Sequence, residues 1–157
     1  MARTHNYGVS VSWTGNRGTG TSHYQAYGRD HVVSAAGLPP ILASSDPAFR
    51  GEQDRWNPEL EFVATLSQCH MLWYLHLCAV AGVRVTQYTD SAIGSMSEAD
   101  DGSGHFDSVT LRPQVTVASP DMIQAAISLH HDANAKCFIA NSVNFPVHHE
   151  PVITVED

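Results

Sequence analysis

The segment from Asn57 to Gly82 constrains this chain more than any other. Asn57 offers an N-cap, Pro58 takes the first helical position, and Glu59 and Glu61 suit the positive end of a helix dipole. Apolar residues then fall on nearly every face from Leu60 to Ala81, until Gly82 ends the run. A helix that is apolar all round has to be covered on all sides. At about 24 residues it would be roughly 36 Å long, at 1.5 Å rise per residue. A chain of 157 residues builds one core, and one core does not easily surround such a rod. Part of the helix is therefore expected to be covered by a second copy of the chain.

The flanking segments read as β on one side and as mixed on the other. Val9, Val11 and Trp13 alternate with Ser10 and Ser12, which predicts a half-buried strand. Gly15-Asn16 and Gly18 supply a turn into a second strand over Thr19–Tyr27. Shorter strands are expected at His31–Ala35 and Pro40–Ala43, and the polar stretch Ser44–Trp56 reads as a loop. After Gly82 come strands at Val83–Ser91 and Phe106–Val117, joined by an acidic turn over Ser97–Gly104. Ser119-Pro120-Asp121 repeats the cap, proline and acid of a helix start. Ile123, Ala126, Ile127, His130 and Asn134 form one stripe of that helix, Cys137 arrives at its end, and Val152–Val155 is a last strand. The order predicts an α+β fold with antiparallel sheets, in a single domain: a β region over 1–56, the long helix over 57–82, and a β-β-α-β region over 83–157.

Charge and cysteine content exclude several classes of partner. Sixteen acidic against eight basic side chains give a formal charge of −8, the wrong sign for a nucleic acid or an anionic membrane surface. The longest apolar stretch, Met71 to Val85, is interrupted by His76 and Arg84 and is too short to span a bilayer. The first residues lack the basic and apolar regions of a signal peptide, and three cysteines make a poor disulfide framework for secretion. The cytoplasm is the expected location. No dinucleotide, P-loop or GxSxG signature occurs, so no cofactor is expected; GTGTS near residue 18 reads as a turn.

Three cysteines and ten histidines hold the candidate chemistry. A lone mid-helix cysteine is more often core filling than a reactive group, and Cys69 by itself reads that way. Its polar neighbours Ser67, Gln68 and His70, and a second cysteine at the end of the other helix, leave a reactive pair open. Cys78 follows Cys69 by nine residues, half a turn round the helix, so it faces away and reads as core. His70 and His76 likewise point apart. No HxxxH or CxxC spacing is present, so no metal is expected, although His130 with His148 or His149 could form a composite site. His130 lies two turns before Cys137 on the same helical face, where it could tune the local potential.

Asn57-Pro58-Glu59, then Cys69 ten residues after the glutamate, then Cys137 with Asn141-Ser142, resembles the OsmC/Ohr family along the whole chain. FRGEQDRWNPE and CFIANSVNFPV look like a branch of their own, with Phe138 where many members carry proline. The resemblance implies an intertwined homodimer that reduces organic hydroperoxides and takes electrons from a dithiol such as a lipoylated protein. It implies that Cys69 attacks the peroxide and becomes a sulfenic acid, and that Cys137 resolves it to a disulfide. It also implies that Glu59 pairs with an arginine holding Cys69 as thiolate. Arg50 is the closest match for that arginine, with Arg17 and Arg55 as competitors. On one continuous helix Glu59 and Cys69 would lie about 15 Å apart along the axis, so a shared site needs Glu59 from a second copy. An apolar pocket could draw on Phe49, Trp56, Trp73 and Phe145. The alternative is a non-catalytic module of the same fold that binds an apolar ligand there.

Overall fold

The computed structural model describes residues 3–157. They form two compact units, divided between Glu61 and Phe62, within the long helix. The first unit contains a three-stranded antiparallel sheet in the order β1 (Ser10–Trp13), β2 (His31–Ser34) and β3 (Ile41–Ala43). β1 pairs with β2, so the strand expected over Thr19–Tyr27 does not form. Asn16 Oδ1 accepts the backbone N–H groups of Gly18 and Gly20, and both glycines take positive φ. Arg29 then donates to the carbonyls of Tyr24 and Tyr27 while its guanidinium lies over both rings. A chain folded back on itself this way has no extended backbone to offer a ladder. β1 is also exposed along its length, not half-buried as the alternation suggested. Tyr7, Val9, Val11, Trp13, Ile41 and Leu42 leave much of this unit's apolar surface uncovered.

The long helix α1 runs Pro58–Ala81, within a residue of its expected limits. Asn57 Oδ1 accepts the Leu60 N–H at 2.8 Å, and the Asn57 carbonyl accepts the N–H of Glu61. At the other end Gly82 has φ +73°; its N–H bonds to Ala79 O and that of Val83 to Cys78 O. That is a Schellman cap, and it explains why a glycine stands there. One stripe of α1 is buried, Leu66, His70, Tyr74 and Cys78, spaced four residues apart. Leu60, Leu72 and Val80 remain exposed.

In the second unit two three-stranded sheets share these elements. One has the order β4 (Val85–Asp90), β7 (Pro113–Val117), β9 (Val152–Val155), and the other β5 (Ile93–Glu98), β6 (Gly104–Leu111), β8 (Val147–His149). β4·β7 and β5·β6 are antiparallel, whereas β6·β8 and β7·β9 are parallel, so both sheets are mixed. The single strand expected over Phe106–Val117 is two strands in different sheets. Arg112 breaks the run, with its N–H on Asp90 Oδ1 at 2.7 Å, and Pro113 starts the next strand, where a missing N–H is tolerated. The acidic turn narrows to residues 99–103, because Ser97 and Glu98 belong to β5. The second helix, α2 (Ile123–Lys136), follows a 3-10 turn over Pro120–Met122, and Ser119 bonds Asp121 without capping a backbone N–H.

Two apolar clusters stabilise this unit. Tyr74, Cys78, Val83, Val115, Val117, Ala126 and Ala133 join α1 and α2 to the sheet of β4, β7 and β9. Leu66, Val109 and Leu111 join the start of α1 to the other sheet, with Phe62, Phe106 and Phe145 packed around them. Each fully buried Leu or Val contributes on the order of 2 kcal/mol. The α+β class read from the sequence is the class observed.

Candidate active site

Cys69 and Cys137 approach each other where the end of α2 meets α1. Cys69 is half-buried on the helix, one position off the buried stripe. Cys137 is buried and is the C-cap residue of α2, leaving helical geometry with ψ 113° while its N–H still bonds Asn134 O. The residues after it explain why it stays there. Asn141 Nδ2 donates to the otherwise free carbonyl of Ala135, the Asn141 N–H bonds Cys137 O, and Ser142 Oγ donates to Phe138 O. Asn141-Ser142 is thus a side-chain cap that folds the loop over the helix end. Burial, followed by the neighbouring Cys69 thiol, pushes the Cys137 thiol well above the usual cysteine range. The Ala140 N–H on Cys137 Sγ, at 3.4 Å, offsets part of that shift.

Cys78 lies elsewhere, in the core cluster beside Tyr74. Burial raises its thiol, and the Tyr74 hydroxyl partly lowers it again. Of the expected aromatic lining, Trp73 packs against the cluster of both helices and meets Phe138 edge-on at 5.6 Å, while Phe145 belongs to the other cluster. Those two do not share one pocket wall. Trp56 is exposed and Phe49 half-buried in the first unit.

Glu59 and the three candidate arginines also belong to the first unit. Glu59 Oε2 is buried with no hydrogen-bond partner among the described residues. Arg55 faces Asp30 at 3.8 Å, and Arg17 lies against the backbone near Gly28. Arg50 lies over the Tyr24 ring at 5.9 Å and has φ +66°, the left-handed region, alone among the described non-glycine residues. None of the three pairs with Glu59.

The residues that sequence reasoning missed as a group are histidines. His70 Nε2 and His130 Nδ1 share a hydrogen bond of 2.9 Å between α1 and α2. Their rings are parallel within 7°, Tyr74 stacks on His130 at 3.8 Å, and His149 from β8 lies 5.6 Å from His70. His70, counted above among the polar neighbours of Cys69, is 1% exposed, whereas His76 is exposed. Burial, then the charge of His149, lowers His70 from 6.5 to about 4, with Asp90 opposing. Burial, then His70 and His149, lowers His130 to about 3. Both rings are therefore neutral near pH 7. His148 is exposed, and the described residues contain no group of three or more His, Cys, Asp or Glu arranged to hold a metal ion. Nor is any described helix long and apolar enough to cross a membrane. The periodicity of α2 placed His130 inward, but its partner lies 60 residues away, with no local signal to reveal it.

Comparison with known proteins bears on this arrangement. The sequence model described as OsmC-like protein matches residues 51–151. An OsmC-like protein of unknown function from Vibrio cholerae is similar in structure, with a TM-score of 0.86 and 34% identity over 95% of this chain and 100% of that one. An organic hydroperoxide resistance protein from Elizabethkingia anophelis has a TM-score of 0.68 at 17% identity, covering 98% and 100%. One from Legionella pneumophila has 0.64 at 16%, covering 96% and 99%. At such identities these two show a shared fold. Nothing among the curated proteins matches the sequence. The family model and the Vibrio relative together establish that this chain belongs to the OsmC-like protein family.

Proposed function

We propose that the protein is a two-cysteine peroxidase that reduces organic hydroperoxides to alcohols. The observation that carries this reading is the approach of the half-buried Cys69 thiol and the buried Cys137 thiol at the α1–α2 junction. In the first step the Cys69 thiolate attacks the distal peroxide oxygen. The O–O bond breaks, the alkoxide takes a proton, and Cys69 becomes a sulfenic acid. Cys137 then attacks that sulfur, water leaves, and a disulfide remains. A dithiol, for which a lipoylated protein is the candidate, restores both thiols and is itself oxidised. The family's organic hydroperoxide resistance relatives favour this over a binding-only role.

Glu59 and an arginine complete the reading. Arg50 is favoured because a non-glycine residue held at positive φ costs about 1 kcal/mol and tends to persist where function requires it. The unpartnered Glu59 oxygen and the exposed apolar residues of both α1 and the first unit favour a homodimer in which Glu59 comes from the second copy. The cytoplasm is the proposed location. Thiol titration after a stoichiometric dose of cumene hydroperoxide tests the proposal. Two thiols per chain should be lost; loss of none from folded protein points instead to the binding module.

A further inference from the structure

The hydrogen-bonded pair His70–His130 has no part in the chemistry above, yet it lies at the same junction. His70 is the residue after Cys69, and His130 precedes Cys137 by two helical turns on one face. The pairings run in opposite order along the two helices: Cys69 with Cys137, and Tyr74 with His130. α1 and α2 are thus antiparallel, and thiols and histidines share one interface. We propose that His70 and His130 form an interhelical clamp that sets the approach of the two thiols, which makes both of them positioning residues for disulfide closure.

Three features support a clamp over simple core filling. The bond is the only side-chain hydrogen bond among the described residues that joins α1 to α2. Both rings are fully buried, at 1% and 0% exposure, and water does not replace a lost partner at such depth. Their orientation is also fixed, because Tyr74 stacks on one face of His130 and His149 lies against both rings. Sliding α2 along α1 by one residue, roughly 1.5 Å, would break the bond and strand two buried nitrogens. A disulfide needs Cα atoms within about 7 Å and defined side-chain directions, so the same slide would also change the approach of the two sulfurs. The outer nitrogens, His70 Nδ1 and His130 Nε2, have no hydrogen-bond partner among the described residues, so the 2.9 Å bond is the one directional polar contact of either ring.

The inference rests on the two-cysteine reading, and a test that needs no peroxide separates the two. Reduced protein is equilibrated with glutathione, where two protein thiols and glutathione disulfide give the protein disulfide and two glutathione thiols. The effective concentration of the Cys69–Cys137 pair is read from the equilibrium. His130→Leu and His70→Leu remove the bond. His130→Asn places an amide near the Nδ1 position and His70→Gln near the Nε2 position, so both keep it. The leucine variants should lower the effective concentration about tenfold, the worth of one net hydrogen bond, while the amide variants stay close to the parent. Leu111→Val, in the other core cluster, should lower Tm without moving it. Unchanged closure in folded leucine variants overturns the clamp, as does an equal loss in leucine and amide variants. Should the leucine variants fail to fold, a tenfold loss in the amide variants overturns it. A parent that forms no Cys69–Cys137 disulfide overturns both proposals. A parent that closes the disulfide with glutathione, yet loses no thiol to peroxide, overturns the peroxidase reading and leaves the clamp standing.

Discussion

Cys78 and Cys137 lie at opposite ends of the interface between α1 and α2, and each is 1% exposed. Burial raises both thiols, so neither is primed by its own environment. The difference is the neighbour. Cys78 faces a phenol, which stays protonated because burial, followed by Cys78 itself, raises Tyr74 far above its usual range. Cys137 faces a thiol that is itself half-exposed. A buried cysteine beside a phenol has no electrophile to meet, whereas one beside an oxidisable thiol has one as soon as that thiol is oxidised. Depth alone therefore does not distinguish the two cysteines, and the proposed difference in role rests on their neighbours.

The largest loss of activity is expected at Cys69. Cys69→Ser should lower hydroperoxide turnover on the order of 10³-fold or more, measured as alcohol formed per enzyme in the presence of dithiol. Cys137→Ser should allow one normal turnover and then stall, with steady-state rate down roughly 100-fold and a sulfenic acid detectable on Cys69 by mass spectrometry. A disulfide between Cys69 and Cys78 in that variant would remove the distinction between the two buried cysteines. Acid should come next. Both paired histidines have folded values below the 6.5 of the unfolded chain, so the unfolded state binds more protons through that window. Stability is complete above about pH 6.5 and declines as pH falls through it, by roughly 3 kcal/mol at pH 4 for the first ring to be charged. Denaturant midpoints at a series of pH values would show the slope, and His130→Asn should flatten it. Arg50→Gly should relieve its positive φ, adding about 1 kcal/mol of stability, while slowing sulfenate formation about tenfold in stopped flow. Smallest is Cys78→Ala, which should cost about 1 kcal/mol by chemical denaturation and leave turnover unchanged.

The parts of the fold that were legible in the sequence are those whose signals are local. The ends of α1 follow from Asn57, Pro58 and Gly82, each of which satisfies or terminates its own backbone groups. The first unit was harder because Asn16, Gly18 and Gly20 favour a turn as much as a hairpin, and the outcome depends on where Arg29 finds carbonyls. β5 escaped notice because Ile-Gly-Ser-Met-Ser-Glu has weak alternation, and Gly94 is needed there because a Cβ would lie 2.7 Å from both Phe106 and Val63. At the candidate site, the cysteines stood out through their spacing from Asn-Pro-Glu. The histidine pair did not, since its two halves come from elements distant in sequence and each alone looks like an ordinary polar interruption.

The parallel pairings of β8 and β9 also have a consequence for synthesis. β6 and β7, the central strands of their sheets, each lack one neighbour until residues 147–155 have been made. A chain still on the ribosome at residue 140 would carry both helices and all three cysteines but two unfinished sheets with open edges. Both sheets therefore close only once residues 147–155 have been made, and a nascent chain stalled before residue 147 would offer open strand edges to aggregation and to chaperones.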